Sequence, residues 1–183
     1  MLQVNPKGGV MFVPLLLSSV AAGLIATGVM VFFLYLPLTW RGSYYDVLGA
    51  LGSAITRRVD AQARFLGGLI YFAGGIFFAV FYGWATLSLL RLNYPLPQLN
   101  VFPGLPVEVN LFYPLLGAVV GLGHGILVAF ILTIIVIEHH PLEQFRSRFI
   151  LVVSQIISHV AFGATVMFFH SQFLQLLTSP GGA

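Results

Sequence analysis

Residues 111–137 read LFYPLLGAVVGLGHGILVAFILTIIVI, an apolar run without one Asp, Glu, Lys or Arg. A helix of this length reaches ~40 Å, more than the ~30 Å hydrocarbon core of a bilayer. Gly117, Gly121, Gly125 and Ala129 recur at every fourth position. That spacing lays small residues along one helix face, which lets two backbones approach closely inside a membrane. Charge is equally absent between Lys7 and Arg41, from Phe65 to Leu90, and from Phe149 onward. Four transmembrane helices are predicted, over residues 10–38, 64–90, 111–137 and 149–177.

Composition agrees. Of 183 residues, 58% are hydrophobic and 7% charged, against about 25% charged in soluble domains. A water-soluble fold would lack the polar surface to cover itself, so residues 1–183 read as a single all-α transmembrane domain. The isoelectric point near 9.5 rests on only eight basic residues and does not imply nucleic acid. The absence of cysteine excludes disulfides, thiolate metal sites and thiol nucleophiles. The first apolar run is too long for a signal-peptide core and reads as a retained span.

In span one, Pro14 falls in the first turn, where a missing N–H costs little. Pro37 marks the exit, and Trp40 is placed as an interfacial anchor. Ser19, Gly23 and Thr27 form a small-residue stripe. Residues 43–60 then change character. Ser43 and Asp46 resemble a capping box, and Tyr44, Leu48, Leu51 and Ile55 share a helical face. A short amphipathic helix lying in the interface is expected. In span two, Gly75, Ala79 and Gly83 make another stripe, with aromatic residues on the remaining faces. The connector from 91 to 110 holds Pro95, Pro97, Pro103 and Pro106 and is expected to be an extended loop, since proline blocks a regular helix. Arg41, Arg57, Arg58, Arg64, Arg146 and Arg148 all fall in the first and third connections, against Lys7 and Arg91 on the other side. The positive-inside rule then places both termini outside the cytoplasm, in a bacterial inner membrane.

Histidines carry what chemistry the chain offers. His124 in span three is nineteen residues before Glu143, and His159 in span four is sixteen after it. In an antiparallel hairpin turning there, the two stand within ~5 Å of the same depth. Two facing imidazoles suit the axial positions of haem b, and one suffices for a (bacterio)chlorophyll magnesium. Gly123, Gly125 and Gly163 would then make room for the macrocycle. The plainer reading takes precedence: an interhelical hydrogen bond from imidazole to Ser158, Gln155 or a backbone carbonyl, as polar residues in spans commonly make. A proton or ion path has less support, because no charged residue joins the histidines. Glu138, His139, His140 and Glu143 form a second cluster with ligand types suited to zinc or iron. Adjacent His139 and His140 point ~100° apart on a helix, so ion pairs to Arg146 and Arg148, or lipid headgroup contacts, are expected instead. His170 is expected at the outer interface. No carboxylate pair, nucleophile–base set or nucleotide loop is present, so the chain does not read as an enzyme.

Residues 23–30 (GLIATGVM), 46–52 (DVLGALG), Arg64 to Tyr82, His140-Pro141 and 158–163 (SHVAFG) resemble a group of small bacterial four-helix membrane proteins. The resemblance implies a four-span fold and no activity. Tyr71-x-x-x-Gly75 and His159-x-x-x-Gly163 also match loosely, as an old duplication of a helix pair would leave them. The expected role is a non-catalytic accessory subunit of a larger respiratory or photosynthetic membrane complex, in contact with other subunits, of its own or another kind, and with lipid. The alternatives are a haem- or (bacterio)chlorophyll-carrying subunit built on His124 and His159, and a small transporter or channel.

Overall fold

The fold is given by a computed structural model that describes residues 12–36, 45–91, 97, 99–101, 109–132, 134, 138–146 and 149–178, with the backbone alone at 89–91 and 149–151. The expected Pro37 exit, Trp40 anchor and Ser43 cap, together with Tyr44, Lys7, Arg41, Arg148, Pro95, Pro103 and Pro106, lie outside the described residues. Among the described residues five α-helices follow in order: α1 (Phe12–Tyr35), α2 (Val47–Thr56), α3 (Ala61–Arg91), α4 (Phe112–Ile131) and α5 (Phe149–Thr178). Four of them are long and apolar enough to cross a membrane, as an integral membrane protein requires. Between α3 and α4 a two-residue ribbon pairs β1 (Asn100–Val101) antiparallel with β2 (Val109–Asn110). The connector predicted as a loop therefore contains regular pairing. Asn110 holds it: its Oδ1 accepts the N–H groups of Leu99 and Phe112 at 3.1 and 2.9 Å, and its Nδ2 donates to the Pro97 carbonyl.

The helices pack in the order α3–α1–α5–α4. α1 lies against both α3 and α5, and α4 lies against α5. α3 and α4 do not pack closely on one another, so the bundle is open along one seam. Small residues fix each contact. A Cβ added to Gly117 would enter the Gly163 backbone, and one on Gly121 would enter the His159 carbonyl. Across the other seams Gly23 faces Ala79, Gly75 faces Thr27, and Gly83 faces Ser19 and His170. Each predicted stripe is thus taken up inside the chain.

Beside buried apolar residues such as Met30, Phe162 and Val166, the pattern of burial departs from that of a soluble core. Ser18, Ser19, Thr27, Ser158, His159 and His170 are buried, while Phe12, Phe32, Phe65, Phe77, Val119 and Phe130 are each more than 60% exposed. Lipid is as apolar as Phe, so large apolar side chains gain nothing by leaving it. Interhelical contact falls instead to small residues and hydrogen-bonding ones.

Helix α2 begins later and ends earlier than the predicted 43–60. Asp46 is its N-cap, accepting the Gly49 N–H at 3.0 Å, rather than the third residue of a box begun at Ser43. Arg57 ends it in the left-handed conformation at φ 56°. Asp60 belongs to the next helix, where its carboxylate accepts the Ala63 N–H. The buried face of α2 is Val47, Gly49, Ala50, Gly52 and Ser53, not the Leu48, Leu51 and Ile55 face. Ile55 is 63% exposed. The reason is close approach: a Cβ on Gly52 would enter the Ala63 carbonyl of α3, and one on Gly67 the Leu48 carbonyl.

Candidate functional site

His124 stands on α4 and His159 on α5, with ring centres 4.9 Å apart and planes crossed at 85°. The two helices turn about a short 3₁₀ segment, Glu143–Phe145, so similar separations from that turn set similar depths. Gly121 and Gly125 bring α4 directly onto the His159 backbone and Cβ, which delivers the two rings to each other. Phe78 of α3 reaches across the open seam and stacks on His124 at 3.9 Å between centres. Tyr82 and Phe162 approach the same ring at 6.2 and 6.3 Å.

The hydrogen bonds define tautomers. His159 Nδ1 lies 2.7 Å from the Gln155 carbonyl. A carbonyl only accepts, so Nδ1 carries the proton and Nε2 of the neutral ring presents a lone pair. This bond runs within α5, to the residue four before, and not between helices as the plainer reading expects. The amide of Gln155 accepts the Tyr71 hydroxyl at 3.3 Å, while its Nε2 has no partner. His124 has neither: both ring nitrogens are buried without a partner. Each buried polar atom left this way costs about 1–3 kcal/mol.

Both histidines open on one half-open cavity of about 140 Å³, lined also by Met30, Tyr71, Gly74, Gly75 and Phe78. It lies where α3 and α4 fail to meet. Gly74 has free space where a Cβ would be. Tyr71, Gly74, Phe78 and Met30 were not identified from the sequence as site residues. A polar aromatic one turn before Gly75 was the one signal available.

A tetrapyrrole does not fit these residues. Imidazoles bound to opposite faces of one metal at ~2 Å each have ring centres ~6 Å apart with the macrocycle between. Here the rings are closer and meet edge to face, and Phe78 covers His124. Gly125 and Gly163, expected to clear space, instead abut α5 and α4 backbone, and Gly123 faces open space outside the bundle. The cavity approximates the ~150 Å³ that admits one benzene ring. Haem b and (bacterio)chlorophyll are therefore set aside as occupants of this pair.

The cluster from Glu138 to Glu143 also differs from expectation. His140 is 1% exposed. Its Nε2 lies 3.0 Å from the Ala50 carbonyl and 3.3 Å from Ser53 Oγ, and its Nδ1 accepts the Leu142 N–H at 3.0 Å. Both nitrogens are engaged, so neither is available to a metal. His139 bonds the Ile134 carbonyl at 2.6 Å. Arg146 donates to the His140 carbonyl, and among the described residues it makes no ion pair with Glu138 or Glu143. No metal-binding group of three His, Asp or Glu residues occurs among them. His140 serves to tie α2 to the α4–α5 turn.

His170 lies inside the bundle, not at the interface: it is 2% exposed. Its Nδ1 meets Ser18 and Ser19 of α1 at 3.0 and 3.3 Å, in space left by Gly83. Since the Ser18 hydroxyl donates to the Leu15 carbonyl, it accepts from Nδ1. His170 is eleven residues from His159, ~16 Å along α5. Phe162, Val166 and Met167, all buried, fill the interval. The two histidines belong to separate sites and do not form a relay.

Comparison of the chain with family models, curated proteins and solved structures finds no match.

Proposed function

We propose that the protein is a non-catalytic membrane subunit that holds a small molecule drawn from the lipid phase in the half-open cleft between α3 and α4. The observation that carries this reading is His124, whose two buried nitrogens have no partner within the chain although its ring lines a cavity of ring size. Orphaned buried polar atoms call for an occupant, and a concave apolar pocket with a few convergent polar groups is the usual form of a ligand site. The ligand would enter sideways from the bilayer and be held, not converted. No acid, base pair or nucleophile set lines the cleft, and conversion would fall to partner subunits of a larger membrane complex. The small-residue stripes give no support to such partners, because each has its contact inside the chain. The arginine asymmetry supports a cytoplasmic-membrane placement with both termini outside.

Gly74 provides the test. Gly74 lines the cleft and a Cβ there would meet no atom within 4 Å, so a leucine side chain is expected to occupy the cleft, and replacing glycine within a helix favours folding by up to ~1 kcal/mol. Full-length protein in nanodiscs is expected to bind the probe (4-fluorobutyl)benzene, seen by ¹⁹F NMR as a resonance distinct from probe in lipid. Gly74→Leu is expected to abolish that resonance with unchanged thermal stability. Equal binding by both proteins, or none by either, would refute the cleft.

A further inference from the structure

The connection between α2 and α3, Arg57 to Asp60, is hydrogen-bonded at both ends. The Arg57 N–H donates to the Ser53 carbonyl at 2.8 Å, the Arg58 N–H donates to Thr56 Oγ1 at 3.3 Å, and the Asp60 carboxylate accepts the Ala63 N–H at 2.8 Å. Behind it, α2 lies backbone to backbone on the first turns of α3 at Gly52 and Gly67. Those turns fall at headgroup level. The 31 residues of α3 reach ~46 Å, so a centred helix extends about 8 Å beyond a ~30 Å hydrocarbon core at either end. Two kinds of side chain face outward here. Ile55 and Val59 are apolar and exposed. Arg57 and Arg58 are exposed and, among the described residues, make no ion pair. The nearest carboxylates are engaged elsewhere, Asp60 with the Ala63 N–H and Asp46 with Arg64. Arg57 also takes the left-handed backbone at φ 56°, alone among the described non-glycine residues. Glycine is the favoured residue at such a helix end, so a guanidinium stands there at a cost to stability.

We propose that this connection docks an anionic phospholipid of the surrounding leaflet, with the guanidinium groups of Arg57 and Arg58 on its phosphate and Ile55 and Val59 against the upper part of its acyl chains. Water would satisfy the arginines and not the two apolar side chains. Hydrocarbon would satisfy the apolar side chains and not the arginines. A phospholipid brings phosphate and chain in one molecule, at the depth where the two kinds of residue adjoin. Guanidinium N–H groups match phosphate oxygens in geometry as well as charge. An anionic lipid is preferred because a zwitterionic headgroup carries its own cation to compete with the arginines. The hydrogen bonds at both ends fix the connection before the lipid arrives, so little ordering opposes binding. The site is separate from the cleft between α3 and α4, and neither depends on the other.

The experiment titrates full-length protein in detergent with palmitoyl-oleoyl phosphatidylglycerol or the matching phosphatidylcholine, and counts bound lipid by native mass spectrometry. The wild type is expected to prefer phosphatidylglycerol, with about fivefold from each arginine. Arg57→Gly separates binding from folding, since glycine suits the left-handed backbone. It is expected to lose about fivefold in phosphatidylglycerol affinity while its thermal unfolding stays the same or moves up. Arg58→Gln is expected to lose as much again, with phosphatidylcholine binding unchanged in both. Arg91→Gln removes the same charge at the far end of α3 and is expected to keep the full preference. Equal affinity of the wild type for the two lipids overturns the proposal. So does a phosphatidylglycerol affinity untouched by Arg57→Gly and Arg58→Gln, and so does an equal loss in Arg57→Gly and Arg91→Gln, which would reduce the effect to net charge.

Discussion

Asp46 ties three helices together through one carboxylate. Its Oδ1 accepts from the Gly49 N–H at 3.0 Å and from the Tyr35 hydroxyl at 2.8 Å. Its Oδ2 accepts both Nε and Nη2 of Arg64 at 2.9 and 2.7 Å. One carboxylate thus joins the end of α1, the start of α2 and the start of α3. Burial pushes this carboxyl up, but the Gly49 N–H, the Arg64 guanidinium and the Tyr35 hydroxyl together outweigh burial and hold it below its ordinary value. A native value below the unfolded ~3.9 means that the contribution is complete at neutral pH. It is lost as pH falls from ~4 through the native value. Asp46→Ala is expected to lower stability by about 1–2 kcal/mol, mostly as a lost cap, with the half-exposed Arg64 adding little. Asp46→Asn should be less stable than wild type at neutral pH, and the difference should shrink below about pH 4. Thermal unfolding in detergent across that range checks both; a difference that stays constant would mean that the carboxylate charge is not the source. Sequence alone read Asp46 as a helix-interior partner of Ser43. Its two contacts on neighbouring helices, eleven and eighteen residues away, leave no periodic trace.

At the scale of the element, α4 is the least supported span. Among the described residues it packs closely along its length only on α5, with Phe78 of α3 meeting its His124, and Leu115, Val119, Leu127 and Phe130 on its outer side are exposed. Its docking depends on Gly117, Gly121 and Gly125, because backbone meets backbone there. Gly117→Leu is expected to cost ~1–3 kcal/mol by overpacking and to loosen α4 from α5. Gly123→Leu, only six residues away but facing open space, is expected to leave stability unchanged or slightly raised. SDS titration of the two variants distinguishes them, and equal loss in both would contradict the assigned face. This face was readable from the sequence, since glycine at every fourth position has one explanation in an apolar helix. The faces of α2 were harder to read. An apolar stripe in a membrane protein turns toward lipid as readily as toward protein, so Leu48, Leu51 and Ile55 carried no inward signal. The small residues opposite them did.

At the scale of the whole molecule, four charge-free runs were enough to read four spans, because crossing the apolar phase demands both length and absence of charge. The shared depth of His124 and His159 was equally legible, being set by distances along two helices from a common turn. The seam between α3 and α4 was not legible, since it depends on which helices fail to pack closely along their length. The same arrangement fixes which ends lie together. The His140 imidazole joins the α4–α5 turn to Ala50 and Ser53 of α2, so these segments share one side of the bundle. The β1–β2 ribbon, a full span away along α3 or α4, lies on the other. The chain has no cysteine, so any introduced thiol is unique. Cysteines placed at Gln144 and Arg58, both exposed, are expected to react with a membrane-impermeant maleimide only once the cytoplasmic face is opened. One placed at Asn100 should react in intact cells. Reaction of Gln144→Cys and Asn100→Cys from the same side would mean that α4 does not cross the bilayer, and the depth-matched imidazoles would then lose their common frame.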